Sequence, residues 1–236
     1  MATLADIAQQ AGVSEATVSR VLNDKPGVSD AARQAVLTAL DVLGYERPAR
    51  LRRRSAGLVG LVVPELENPI FPAFAQVIEG GLARRRFTPV LCTQSPGSIS
   101  EDEYVESLLD HRVAGIIFVS GRHADATGDH ERYRSLIGRG LPVVFINGFV
   151  EGIDAPFLST DDVHATHTAV SHLAQLGHTK IGFAAGPARF MPSRRKREGF
   201  LEALRSHGLI QNGDRSWIEE GLYTVEGGAA AARALL

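Results

Sequence analysis

Arg20 has the most specific chemistry open to any side chain in this 236-residue sequence. A guanidinium is a planar fork of donors that matches O6 and N7 of guanine, provided a helix holds it on a face that enters a major groove. Its neighbours suit such a face. The hydroxyls of Ser14, Thr17 and Ser19 fit phosphate contacts, which fix register without reading sequence. Glu15 can accept from cytosine N4 and Ala16 offers a methyl surface, while Glu15 equally suits the first turn of a helix as an acid facing the dipole; both readings stand. A second cluster, Asp161, Asp162, His164 and His167, has the donor types of a metal site. No third ligand at compact spacing completes it, and the HExxH, P-loop and G-x-S-x-G patterns do not occur, so neither an enzyme nor a metal or cofactor is expected.

The elements that must hold Arg20 are spelled out from Thr3 to Asn23, TLADIAQQAGVSEATVSRVLN. Thr3 with Asp6 three residues later is an N-cap with an acid in the first turn, and Leu4, Ile7, Ala8 and Ala11 recur at helical spacing. Gly12 supplies the turn, and Ser14 caps a second helix in which Val18, Val21 and Leu22 face inward. Those two helices alone also fit an ordinary helical hairpin. A third helix follows from Ser29 through Ala31, Ala32, Val36, Ala39, Leu40 and Leu43 to Gly44. At about 45 residues such a unit is marginal by itself and belongs to something larger. Arg47, Arg50, Arg52, Arg53 and Arg54 then crowd one octet with Pro48 and Leu51, and directly after a helix-turn-helix that run reads as a phosphate-contacting hinge.

Composition frames the rest. The chain is 44% hydrophobic and carries a net charge of −2. Eight basic against six acidic side chains lie up to residue 54, which leaves the remainder acidic. A basic head on an acidic body suits a protein whose head alone meets nucleic acid. Cys92 is the only cysteine, which excludes an intrachain disulfide. It lies in the apolar run PVLCT as a structural thiol, and a reducing cytoplasmic setting is expected. No apolar run approaches bilayer length, and the N-terminus starts on a capped helix rather than a leader, so neither membrane nor secretion is expected.

From Leu58 onward short apolar runs alternate with amphipathic ones. LVGLVV, PVLCT, AGIIFVS, PVVFI and KIGFAAG read as strands. Helices are expected near Phe71–Arg86, Glu101–His111, Glu131–Arg139, Asp162–Leu176, Arg194–His207 and Glu226–Leu236. Such alternation predicts parallel sheet covered on both faces, with ligands gathering beyond the carboxyl ends of strands. The loops that matter are then Pro64–Phe71, Thr93–Ser98, Ser120–His123, Asn147–Val150 and Gly186–Ser193.

The segments VSEATVSRVLN, VSDAARQAVLTALDVLGY and LVGLVVPELENPIF resemble the lactose-repressor (LacI/GalR) family of bacterial transcription regulators, along nearly the whole chain. The resemblance implies an α + α/β architecture: a helix-turn-helix domain at 1–46, a basic hinge at 47–56, and a periplasmic-binding-protein-like core with lobes at 57–158 and 159–236. It implies that Thr3, Leu4, Ser14, Glu15, Ala16, Thr17, Ser19, Arg20, Asn23 and Tyr45 meet DNA, joined by Arg50 and Leu51 from the hinge, Leu51 as a minor-groove wedge. Effector contacts are implied for Phe71, Asn147, Asp161, Arg194, Lys196 and Tyr223. Two departures stand out: Ala49 replaces the asparagine that commonly follows Pro48, and Lys196 replaces an arginine, losing its bidentate fork. The family course also continues beyond Leu236, so the second lobe is expected to be incomplete.

The function so implied is a sequence-specific transcriptional regulator, a repressor binding a near-palindromic operator as a homodimer under control of a sugar-like small molecule. The alternatives are a solute-binding protein without regulatory role and a sugar-active enzyme on the same sheet architecture.

Overall fold

A computed structural model describes residues 3–45, 55–94, 97, 99–210 and 217–236. The chain divides into two compact units, Met1–Ser55 and Ala56–Leu236. The hinge arginines with Arg50, and Leu51, lie outside the described residues.

In the first unit α1 spans Leu4–Ala11, α2 Glu15–Leu22 and α3 Asp30–Val42. Each start is held by the side chain expected there. Thr3 accepts from Asp6 N while the Asp6 carboxylate accepts from Thr3 N, a reciprocal capping box. Ser14 accepts from Thr17 N and Ser29 from Ala32 N. Gly12 adopts φ +64, the left-handed conformation that lets the chain turn sharply between α1 and α2. Ile7, Val18, Val21, Val36 and Leu40 are completely buried and form the core of this unit.

The second unit carries parallel sheet. β1 (Gly57–Val63), β2 (Phe87–Thr93), β3 (Gly115–Val119), β4 (Val143–Ile146) and β5 (Phe157–Leu158) lie in the order β2-β1-β3-β4-β5. All pairs are parallel, β1 matching β2 from Gly57↔Phe87 to Val63↔Thr93 and β3 from Val59↔Gly115. Strand alternation sends β1 side chains to opposite faces. Val62 packs with Val105, Leu108, Phe118, Tyr133 and Phe145 beneath α5 (Glu101–Asp110) and α6 (Glu131–Gly138). Leu61 and Val63 pack with Phe71, Phe74 and Ile78 of α4 (Ile70–Arg84).

A second, two-stranded parallel sheet pairs β6 (Phe183–Ala185) with β7 (Ile218–Glu220). Around it lie α7 (Asp162–Gln175), α8 (Met191–Ser206) and α9 (Val225–Leu235), with Val170, Ile181, Phe200, Ala203 and Leu204 as core. The expected strand KIGFAAG is shorter than the apolar run, because its partner offers only three residues of ladder, Ile218 to Glu220. Helix α8 begins at Met191 rather than Arg194, with Pro192 in the first turn, where a missing N–H costs nothing. Helix α4 ends at Arg84 because Arg86 turns to φ +65.

Candidate functional site

The outward face of α2 is built by what its inner face buries. With Val18, Val21 and Leu22 turned into the core, Glu15, Ala16 and Arg20 stand exposed and Thr17 and Ser19 half-buried. Ser14 Oγ accepts from Thr17 N and lies 2.9 Å from Thr17 Oγ1, so these hydroxyls are arranged by the helix start. Arg20 is the one basic residue on α2, and its Nη2 donates to the carbonyl of Pro26. Asn23 closes the helix through Nδ2 to Ser19 O at 2.8 Å. Thr3 caps α1, Leu4 is exposed beside it, and Tyr45 lies half-buried against the three-helix core with its N–H on Leu40 O. The exposed first turns of α1 and α2 are capped by Thr3 and Ser14, and the backbone dipole at each start favours phosphate.

In the second unit the carboxyl ends of β3 and β4 carry the local strain. Ser120 (φ 49) and Asn147 (φ 62) both sit in the left-handed region, and Asn147 Nδ2 donates to Ser120 Oγ at 3.1 Å. Neither is glycine, so each conformation is held by its surroundings. Past Asn147 the chain passes close over His123: a Cβ on Gly148 would stand 2.7 Å from the imidazole Cδ2. His123 is 1% exposed and burial pushes its pKa down to about 4, while the bond between Nε2 and Ile146 O at 3.0 Å opposes that shift. A neutral ring facing a carbonyl with Nε2 carries its proton there. His123 N donates to Tyr133 Oη at 3.1 Å, and Tyr133 Oη donates to the buried Glu101 carboxylate; burial and that carboxylate push the tyrosine pKa upward.

A cavity of about 390 Å³ opens beyond this floor, lined by Gly148, Phe149, Phe157, Ser159, Thr160, Asp161, Asp162, Val163 and Arg195. Phe149 is 45% exposed with its ring edge-on to Phe157, centroids 5.2 Å apart. An aromatic shelf facing hydroxyls, carboxylates and a guanidinium is what a polyol with one apolar ring face requires. A second, smaller cavity of about 220 Å³ lies among Glu101, Asp102, Arg122 and Arg132, and its cations are already engaged by Asp102 at 3.0 and 2.6 Å.

Of the six residues expected to contact an effector, Asp161 lines the larger cavity, and it also caps α7 by accepting from His164 N at 2.9 Å. Lys196 Nζ lies 3.4 Å from Oδ1 of Asp162, a carboxylate only 4% exposed. Arg194 Nε donates to Ala188 O at 2.7 Å. Tyr223 bonds Ser193 Oγ and covers Gly186, where a Cβ would stand 2.3 Å from the ring. Phe71 packs on the Leu61–Val63 face, and Asn147 bonds Ser120. Phe149, Phe157, Thr160 and Arg195 carry the cavity and were not singled out by sequence; Phe149 lies in a loop that follows a strand, the one signal available. Among the described residues no three or more histidine, cysteine, aspartate or glutamate side chains gather into one group, Asp161, Asp162, His164 and His167 included. Nor, among them, is any helix long and apolar enough to cross a membrane.

Two family profiles match the chain: "Bacterial regulatory proteins, lacI family" over residues 3–48, and "Periplasmic binding proteins and sugar binding domain of LacI family" over residues 56–236. The HTH-type transcriptional regulator reg1 of Streptomyces lividans is 61% identical over 236 residues, covering 99% of this chain and 68% of its own length. Among solved structures, a complex of the transcriptional regulator CelR with cellobiose has TM-score 0.63 and 28% identity, covering 100% of this chain and 70% of that one. A lac repressor dimer bound to operator and the anti-inducer ONPF has TM-score 0.57 and 25% identity, with coverage of 96% and 67%.

Proposed function

The chain belongs to the lacI family of bacterial regulatory proteins, and from that premise we propose that it represses transcription by binding operator DNA as a homodimer through α2, under control of a sugar. The observation that carries this reading is the pairing, on one chain, of an exposed recognition face around Arg20 with an aromatic-shelved polar cavity of about 390 Å³. The solute-binding alternative has no use for α2. DNA contact uses the expected residues of α1 and α2, with Ser14, Thr17 and Ser19 on phosphate and Arg20 on a base.

The effector is a sugar of about disaccharide size; the complex of CelR with cellobiose supports that class. It stacks on Phe149 and reaches Thr160, Asp161 and Arg195 with its hydroxyls. Regulation is linkage: a sugar that prefers one arrangement of the second unit shifts DNA affinity only by its differential affinity for the two arrangements. Calorimetry against mono- and disaccharides, with operator affinity measured in parallel by fluorescence anisotropy, tests this. Phe149→Ala is expected to weaken sugar binding by roughly tenfold, the worth of a buried aromatic contact, while leaving DNA affinity without sugar unchanged. Full sugar affinity in that variant would move the effector away from this cavity.

In this reading the dimer seam runs along α4 and edge strand β2. Helix α4 has no buried residue despite its apolar sequence, with Ile70 47% and Val77 73% exposed, and Leu91 on the adjoining β2 is 47% exposed. Ile70 and Val77, two turns apart on one helix beside Leu91 of the edge strand, are side chains that a second copy would cover. Val77→Asp should shift the sedimentation equilibrium to monomer and weaken operator binding with it; an unchanged dimer mass would place the seam elsewhere.

A further inference from the structure

Whether a base-reading arginine discriminates depends on where its guanidinium is held before DNA arrives. The loop after α2 supplies a hold. Arg20 Nη2 donates to Pro26 O across the turn that joins α2 to α3. That turn is tied on both sides: Lys25 N donates to Arg20 O and Asp24 N to Val21 O, each at 2.9 Å, and the Asp24 carboxylate accepts from Arg33 of α3 at 2.8 Å. Gly27 follows with φ +86, and a Cβ on it would stand 3.1 Å from Arg20 Nη2. Gly12 (φ +64) and Gly44 (φ +63) in the same unit are equally left-handed, yet a Cβ on either would meet nothing within 4 Å. Gly27 alone of the three combines its backbone conformation with room for the guanidinium.

We propose that the Pro26 carbonyl and the bare face of Gly27 form a seat that positions Arg20, making this loop a determinant of base specificity outside the recognition helix. The proposal rests on the reading of Arg20 as a base-contacting residue. The Pro26 bond uses one donor of five, and the remaining four suffice for a two-bond contact with guanine O6 and N7. A long side chain confined to few rotamers loses less freedom on binding, and a guanidinium plane fixed before contact accepts one base edge and rejects others. Pro26 cannot donate through its own nitrogen, but its carbonyl accepts as any other does.

The test uses the full chain and a duplex that it selects from a randomised pool, together with duplexes altered at each base pair. Wild type, Arg20→Ala, Gly27→Ala, the double variant and Gly44→Ala are compared by anisotropy titration, with folding followed by thermal melts. The expected result is that Gly27→Ala reduces discrimination several-fold at the base pair read by Arg20 and adds nothing when Arg20→Ala is already present. Gly44→Ala, strained without crowding Arg20, leaves discrimination intact. Gly27→Asn, which tolerates positive φ and carries the same Cβ, stands in for Gly27→Ala should that variant melt early. Undiminished discrimination in both Gly27 variants, or an equal loss with and without Arg20, overturns the seat. If Arg20→Ala itself leaves every base preference intact, the base-reading role fails and the seat with it, an outcome distinct from the others.

Discussion

Gly199→Ala is expected to destabilise the second unit by about 1–3 kcal/mol or more, the cost of forcing extra volume into a closed contact. The direction is informative because the same exchange at an exposed helix position stabilises by roughly 1 kcal/mol. At Gly199, buried on α8, a Cβ would stand 2.2 Å from the carbonyl oxygen of Val163 and 2.8 Å from its C and Cα atoms. These are backbone atoms of α7, which cannot swing aside as a side chain tip would. The two helices must separate, opening the packing of Phe200, Ala203 and Leu204 against Val170 and Ile181. Gly228 on α9 is the control: a Cβ there meets nothing within 4 Å, so Gly228→Ala should raise stability. Because α8 carries Arg195 and Lys196 and the start of α7 carries Asp161 and Asp162, sugar affinity should fall along with stability in Gly199→Ala. Urea unfolding of the two variants checks this; a Gly199→Ala protein as stable as wild type would mean that the α7–α8 contact yields more easily than its geometry indicates.

The same glycine shows what sequence can and cannot disclose. Helices α1 to α3 were legible because their information is local: caps at Thr3, Ser14 and Ser29, a left-handed glycine at position 12, and apolar spacing that sends Val18 and Val21 inward. The long strands were legible for the same reason, as β-rich runs between amphipathic helices. Strands β5 and β7 were not, since two and three residues carry no periodicity and exist only through their partners β4 and β6. The exposed face of α2 followed from the spacing of α2 alone. The cavity did not, because Phe149, Phe157, Thr160 and Arg195 come from separate elements and meet only after folding. Lys196 illustrates the limit further: its charge lies 3.4 Å from the buried carboxylate of Asp162, a pairing of α8 with the start of α7 that linear spacing does not show. An isolated buried carboxylate is costly, and the cation that lies beside it is known only once the two helices are packed.

Arg20→Ala is expected to cost roughly 1–3 kcal/mol on the specific operator, about 5- to 150-fold in affinity, and to relax preference at one base pair in each half-site. Binding to random duplex should fall far less, since there Arg20 contributes only one charge among those that displace counterions. Arg20→Lys separates the two contributions. The ammonium keeps the charge and so the non-specific affinity and salt dependence, but it has no planar fork to span O6 and N7 and should not restore discrimination. The geometry favours this outcome because Arg20 is exposed on α2, while Val18, Val21 and Leu22 turn into the core. Removing its side chain leaves the packing of the three helices untouched and gives up only the exposed bond to Pro26 O, so the variants should lie within about 1 kcal/mol of wild type in stability. Affinities measured over a range of salt, on operator and random duplex side by side, decide the matter. Equal losses on both duplexes would assign Arg20 to phosphate and leave base reading to Glu15 and Ala16 at the start of the helix.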